Sequence, residues 1–257
     1  MGDAAEVLGD TPAIPRAAGT SVGGMACRPL LPVDHQFIAG LLILTASTGC
    51  IDAVSYLALD KVFTGNMTGN VLFIGFGLVR AGTAPLLNNV IALLGFALGS
   101  IVGGRVVGRN AQKGLPASSR GILIGGAVLM ILLAVYWLIV HTLAFPALLT
   151  VTALLAVVMG AQVSAVKPVG NSDVTTIVVT NTLANLARDS RLAGGSGKNW
   201  FPRLAAILCM GIGAAIGAFF VAHVSGPAGL VAAALIFTGG MVTLVTAHRR
   251  LHAPNEP

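Results

Sequence analysis

Charge is what this chain has least of. Only 9% of its 257 residues are charged and nine are acidic, against 55% hydrophobic and a mean hydropathy of +0.88. Soluble domains carry about a quarter charged residues, and no water-soluble fold of this length hides so much apolar surface. The apolar runs are long and continuous rather than alternating, which excludes an outer-membrane barrel and leaves helices in a bilayer. Cysteine is scarce as well. Cys27, Cys50 and Cys209 lie far apart and form no CxxC pair, so neither a metal site nor a disulfide framework is indicated. Enzyme signatures are missing: no HExxH, no GxSxG, no paired intramembrane aspartates and no P-loop. The GFG at Gly75–Gly77 is followed by Gly82 at the wrong spacing for a dinucleotide loop. The chain therefore reads as a non-enzyme with no cofactor, and ATP is not its direct power source. Its net charge of +6 does not call for nucleic acid, because basic excess in a membrane protein collects in cytoplasmic loops.

What is there begins with residues 1–35, rich in Pro, Gly and Ala, without the apolar core of a cleaved signal. They read as a disordered cytoplasmic tail, with Met25 as an alternative start. Six runs then have the roughly 20-residue length of a spanning helix: Gln36–Ala58, Leu86–Val107, Gly121–Val140, Pro146–Val166, Leu204–His223 and Gly229–Ala247. Between the first and second lies Val62–Phe76, VFTGNMTGNVLFIGF, apolar at its edges but carrying Thr64, Asn66, Thr68 and Asn70. A fainter copy, VTTIVVTNTLANLA, occupies Val174–Ala187 between the fourth and fifth. The order is helix, odd element, helix, helix, then the same again. Residues 36–142 form one repeat, 143–248 a second, and 249–257 a short cytoplasmic tail.

The basic residues decide the threading. Arg105, Arg109, Lys113 and Arg120 flank one loop, Arg188, Arg191, Lys198 and Arg203 another, and Arg249 and Arg250 open the tail. If both odd elements spanned, the first two groups would fall on opposite sides. If both are re-entrant, all of them lie inside with both termini, and only Lys61 and Arg80 lie outside. Three spanning helices per repeat then make the second half inverted relative to the first, a recurring design in transporters. Gly49 pairs with Gly160 in this scheme, and Gly95 and Gly99 with Gly213 and Gly217. The two odd elements are expected to face each other across the internal two-fold.

The candidate site follows. Asp52 is the only carboxylate well inside a spanning run, and such a group is by default functional. It would carry a proton or bind a cation, or else tie the unwound backbone through Asn66 or Thr68. Tyr56 and Ser55 lie near it in sequence. Asn66, Thr68 and Asn70, with Asn181, Thr182 and Asn185, would line a wet cavity or knit the repeats together. Thr64 or Asn66, and Ser172 or Asp173, would cap inward-pointing helix starts, which favour an anion or a polar neutral solute. Gln162, Ser164 and Lys167 approach the second element, Lys167 as a snorkelling end residue.

The stretch GCIDAVSYLALDKVFTGNMTGNVLFIG, with Gly49, Asp52, Ala53, Phe63, Met67, Thr68, Gly69 and Asn70, resembles the signature of the YoaK-like family of bacterial membrane proteins, a domain of unknown function. The resemblance runs from Gln36 to His248 and implies about six helices in the inner membrane. It assigns no activity. The chain departs from the family's pattern at Val163 and at Asn181, where the family tends to have Asn and Gly, so a second-half polar site does not follow from it.

Together these observations describe an all-α integral membrane protein of six transmembrane helices and two re-entrant ones. The expected function is a secondary transporter or facilitator of a small polar or anionic solute, with proton coupling through Asp52. The alternative is a non-transporting assembly or regulatory protein whose Asn/Thr/Gly motif is structural. The expected partners are the lipid bilayer and a small molecule or ion, and a homo-oligomer is left open.

Overall fold

A computed structural model describes residues 32–83, 85–108, 114–169 and 179–251. Among these residues it contains eight α-helices: α1 (Pro32–Ala58), α2 (Met67–Leu78), α3 (Leu86–Val107), α4 (Ala117–Val140), α5 (Phe145–Val166), α6 (Val179–Arg188), α7 (Trp200–His223) and α8 (Gly226–Leu251). Six are long and apolar enough to cross a membrane; α2 is apolar but has only 12 residues. The hydropathy reading placed α3 to the residue. The other five spans start one to four residues earlier than their apolar runs, and α7 and α8 carry Pro202 and Pro227 in the added first turn. Proline belongs there, since the first-turn N–H groups have no helical partner.

Contacts between helix ends fix the threading. At one end Gly226 packs on Trp137 and Ala58, while Asn88 near the start of α3 donates to the Leu59 carbonyl at 2.6 Å. At the other end the Gly114 N–H donates to the Pro168 carbonyl at 3.1 Å, and Leu115 to His248 Nδ1 at 3.3 Å. Nine of the eleven described Lys and Arg residues lie at this second, basic end; Lys61 and Arg80 alone lie at the far end. The Lys61 ammonium donates to the Thr83 hydroxyl at 2.5 Å, so α2 is entered and left at one end of the bundle. Lys167, directly after α5, and the start of α7 likewise share the basic end, so α6 does not cross either.

The same helix pairs touch when the two halves are exchanged, although α1 packs along α8 more extensively than α5 along α4. α3 packs along α5 as α7 does along α1; α2 sits on α3 as α6 does on α7; α1 meets α8 as α5 meets α4; and α4 meets α8 on the axis. The glycines give the register. A side-chain carbon on Gly49 would strike the Met210 carbonyl and Ala214 nitrogen, and one on Gly160 the Phe96 carbonyl and Ser100 nitrogen. One on Gly213 would strike Ala46, and one on Gly99 would strike Val157. The offset is 160 − 49 = 111 between α1 and α5, and 213 − 99 = 114 between α3 and α7. Gly99 and Gly103 are therefore the partners of Gly213 and Gly217, one turn along from the pairing expected above. α3 offers glycine at 95, 99 and 103, and four-residue spacing alone cannot choose among them.

These contacts are backbone against backbone. In lipid, helices gain little from hydrophobicity and associate by close packing, so a side chain at the crossing has no room to relax. Replacing Gly213 or Gly99 with leucine should cost more than the ~1–3 kcal/mol of ordinary overpacking. The check is thermal unfolding of the detergent-solubilised protein, where outward-facing Gly211→Leu serves as control. In a background without cysteine, Lys61→Cys and Thr83→Cys should label from one face of the membrane and Ser196→Cys from the other. Labelling of Lys61→Cys and Thr83→Cys from opposite faces would refute the threading.

Candidate functional site

The chain leaves α1 at Ala58 and turns back into the bundle. Asp52 lies six residues before that end, about 9 Å deep at 1.5 Å per residue. Its Oδ1 accepts the backbone N–H groups of Thr64 at 3.0 Å and Gly65 at 2.7 Å. The Asn66 N–H also faces the carboxylate, without completing a hydrogen bond to Oδ2, which is buried and unpaired. Three successive N–H groups aimed at one anion form a nest, and α2 starts immediately after them, so its positive N-terminal end faces the same carboxylate. Gly65 is required for the approach, because a side-chain carbon there would meet Thr48 at 2.9 Å and both Asp52 oxygens at 3.3 Å.

Asn70 completes the turn. Its Oδ1 accepts the Phe63 N–H at 2.9 Å and its Nδ2 donates to the Phe63 carbonyl at 2.5 Å. The Phe63 ring clusters with Tyr56 (5.1 Å, 16°) and Phe73 (6.0 Å, 15°), which also meet each other at 6.2 Å. It occupies space that a side chain on Gly69 would take. The caps expected for the first element are not made: Asn66 stands at the α2 N-cap with no side-chain cap hydrogen bond, and the buried Thr64 hydroxyl has no partner among the described residues. Asp52 has taken that role from a distance.

Of the residues singled out in the sequence, Asp52, Tyr56 and Asn66 line one cleft of about 460 Å³ between α1 and α7, at the far end. Asn70 is buried behind the loop and Thr68 is exposed. Gln162 is buried in α5 with both amide atoms unpaired among the described residues. On α6, Thr182 is buried, Asn181 exposed and Asn185 half-buried. The Asn185 carbonyl accepts from Arg203 at 3.0 Å, and Arg203 also holds Asp189 at 2.8 Å. The hydrogen bonds from Arg188 and then Arg203 keep the Asp189 carboxyl below the usual range. Ser172, Asp173 and residues 174–178 lie outside the described residues. The short helices do not face each other: α2 docks on α3 and α6 on α7, with no packing interface between them. Each is held by the spanning helix that follows it, and among the described residues the polar groups of α2 and α6 line no common cleft.

Sequence reasoning missed a second cleft. About 960 Å³ in volume, it lies between α3 and α5 at the basic end and includes Ser100, Gly104, Arg105, Ser164, Lys167 and Pro168. It is the far-end cleft transposed by the two-fold. Adding 111 to Ala53, Tyr56 and Leu57 gives Ser164, Lys167 and Pro168; subtracting 114 from Ala214, Ala215 and Ala218 gives Ser100, Ile101 and Gly104. The signal was present in the sequence, but only with the corrected register. Position 163, the counterpart of Asp52, is valine, so the nest has no carboxylate equivalent in the second repeat.

A family model described as "Protein of unknown function (DUF1275)" matches residues 40–244. The chain is 32% identical over 152 residues to the UPF0700 transmembrane protein YoaK of Bacillus subtilis (strain 168). That match covers 59% of this chain and 65% of the relative, just under two thirds of its length. No solved structure matches.

Asn70 satisfies two backbone groups that no water reaches easily, and each such group costs about 1–3 kcal/mol when left unpaired. Asn70→Leu should therefore destabilise the protein by about 3 kcal/mol, read as a lowered thermal midpoint in detergent. Thr68→Ala, on the exposed face, should stay within about 0.5 kcal/mol. Equal effects of the two changes would mean that Asn70 does not hold the loop.

Proposed function

The chain belongs to the DUF1275 family, and we propose that it is a secondary transporter or facilitator for a small polar or anionic solute. On this reading it sits in the bacterial inner membrane, with the basic end and both termini in the cytoplasm, as the excess of Lys and Arg at that end favours. The observation that carries the proposal is the pair of clefts. They are equivalent under an inverted two-fold, reach inwards from opposite ends, and are separated by backbone-packed glycine crossings. In alternating access, one repeat rocks against the other around such a barrier and exchanges which cleft is open. Asp52 supplies the coupling group: one oxygen holds the loop while the other, unpaired, is available to a proton or a cation. Protonation there would weaken the nest and so link ion binding to the loop that lines the far-end cleft. The reading needs no catalytic residue and no cofactor.

A specific observation favours the second reading. Asp52, Gly65, Gly69 and Asn70 all have structural work that explains their presence, and a motif serving only to fold a re-entrant loop fits an assembly or regulatory protein.

The two readings part on reciprocity, which can be measured without knowing the solute. Ala53→Cys opens on the far-end cleft and Ser164→Cys on the basic-end cleft. With both placed in a background without native cysteine, a bulky membrane-impermeant maleimide on Ala53→Cys should change the labelling rate of Ser164→Cys from the opposite side. A change of about fivefold corresponds to a coupling of roughly 1 kcal/mol, within the usual range. Labelling rates that ignore one another would remove alternating access and leave the structural reading.

A further inference from the structure

The two clefts occupy equivalent positions on the fold and differ in charge. At the far end, the wall positions are Ala53, Tyr56 and Ala214, and the charge is Asp52. At the basic end the equivalent positions are Ser164, Lys167 and Ser100, and Val163 replaces the acid. Arg105, in the last turn of α3, adds a second cation where α7 has Phe219. Two cations from two helices thus converge on one cavity that has no acidic side chain among its described lining residues. Among carboxylates with described side chains, Asp52 and Asp60 lie at the far end, and Asp189 is taken up by Arg188 and Arg203. Neither Arg105 nor Lys167 has an ion pair among the described residues.

Simple snorkelling would place each cation separately at the headgroup level. Here they flank a cavity whose polar floor runs inwards. Ser100 lies seven residues before the α3 end, about 10 Å below it at 1.5 Å per residue. Both serine hydroxyls are committed as donors, Ser100 to the Gly160 carbonyl at 3.2 Å and Ser164 to the Ser100 carbonyl at 2.9 Å. The donors left to a ligand are the guanidinium and the ammonium. Guanidinium offers a fork that matches an oxyanion, and ammonium a point charge beside it.

The geometry points to an oxyanion site of phosphate type in the basic-end cleft, held by Arg105 and Lys167. The oxyanion is either a free solute or the phosphodiester of an anionic lipid reaching in from the adjoining leaflet, where basic pockets between helices take such headgroups. This site does not depend on transport: it would bind its anion in a protein whose clefts never exchange.

The test uses the full chain in neutral maltoside. One arm titrates inorganic phosphate against chloride at matched ionic strength and reads the thermal midpoint. The other adds phosphatidylglycerol or phosphatidylcholine and counts retained lipid by native mass spectrometry. We expect saturable binding of one anion per chain in at least one arm. A rise with phosphate assigns a free solute, and selective retention of phosphatidylglycerol assigns a lipid. A basic residue near anionic lipid contributes about fivefold, so Arg105→Gln with Lys167→Gln should weaken binding by about 25-fold. Arg105→Lys should keep most of it, and Arg249→Gln with Arg250→Gln should leave it unchanged. Should the double variant misfold, Lys167→Gln alone should still lose about fivefold. Absence of saturable binding in both arms overturns the site, as does wild-type affinity in the charge-removed variants.

Discussion

A chain that interrupts its helix inside a membrane frees N–H and C=O groups where no water can take them. Each must find a partner within the protein. The architecture of the first repeat follows from how that demand is met. Asp52 takes the N–H groups of Thr64 and Gly65, and Asn70 takes both polar groups of Phe63. With those satisfied, the loop can stay at the depth of Thr48 and Asp52, and α2 can climb back to meet α3. The glycines at 65 and 69 serve the same end by letting Thr48, Asp52 and the Phe63 ring close on the loop. A motif that reads from sequence as a row of polar groups awaiting a ligand is in large part turned on its own backbone.

The second constraint is the contact of parallel helix pairs through backbone atoms. α1 with α7, and α3 with α5, touch where a single added carbon would collide with a carbonyl. Such crossings are narrow, and helices that meet so closely at one level must diverge on leaving it. The clefts lie beside the two crossings, one towards each end, and their equivalence follows from the two-fold. Geometry is thus duplicated while chemistry is not. The same wall position is tyrosine at one end and lysine at the other; the same helix position is aspartate in one half and valine in the other. A fold of this kind can hold unlike ligands at its two mouths without any change of backbone.

Most of the fold was legible in the sequence because the bilayer imposes one rule on length and another on charge. Apolar runs of spanning length marked all six crossing helices, and the position of Arg and Lys forced the odd elements to turn back. Pro146, Pro202 and Pro227 explain why the helix starts lie near or beyond the apolar boundary: a first turn can be polar. The site was legible only in part. Asp52 stood out as an intramembrane acid, yet its partner atoms are backbone N–H groups twelve and thirteen residues on, which leave no side-chain signature. Asn66 and Thr64 looked like caps because of their residue type, whereas the cap came from another helix. The basic-end cleft was hidden by the glycine register, since three equally spaced glycines on α3 made the wrong alignment as good as the right one. With the register one turn off, Lys167 and Tyr56 still correspond, but Ser100 falls on Ala218 instead of Ala214 and Arg105 on His223 instead of Phe219.

The nest at Asp52 also bears on which end an anion would favour. An inward-pointing helix start attracts negative charge, and from sequence alone α2 invites an external anion. In the folded protein that place is held by the protein's own carboxylate, and a second anion beside Asp52 would face repulsion in a medium of low dielectric. The far-end cleft, with one unpaired carboxylate oxygen and the rings of Tyr56 and Phe63, is suited instead to a proton or a cation. In the cleft between α3 and α5, Arg105 and Lys167 have no ion pair among the described residues, and an anion there meets unopposed positive charge. The two ends of the molecule thus differ in charge in part because one repeat has Asp52 where the other has Val163.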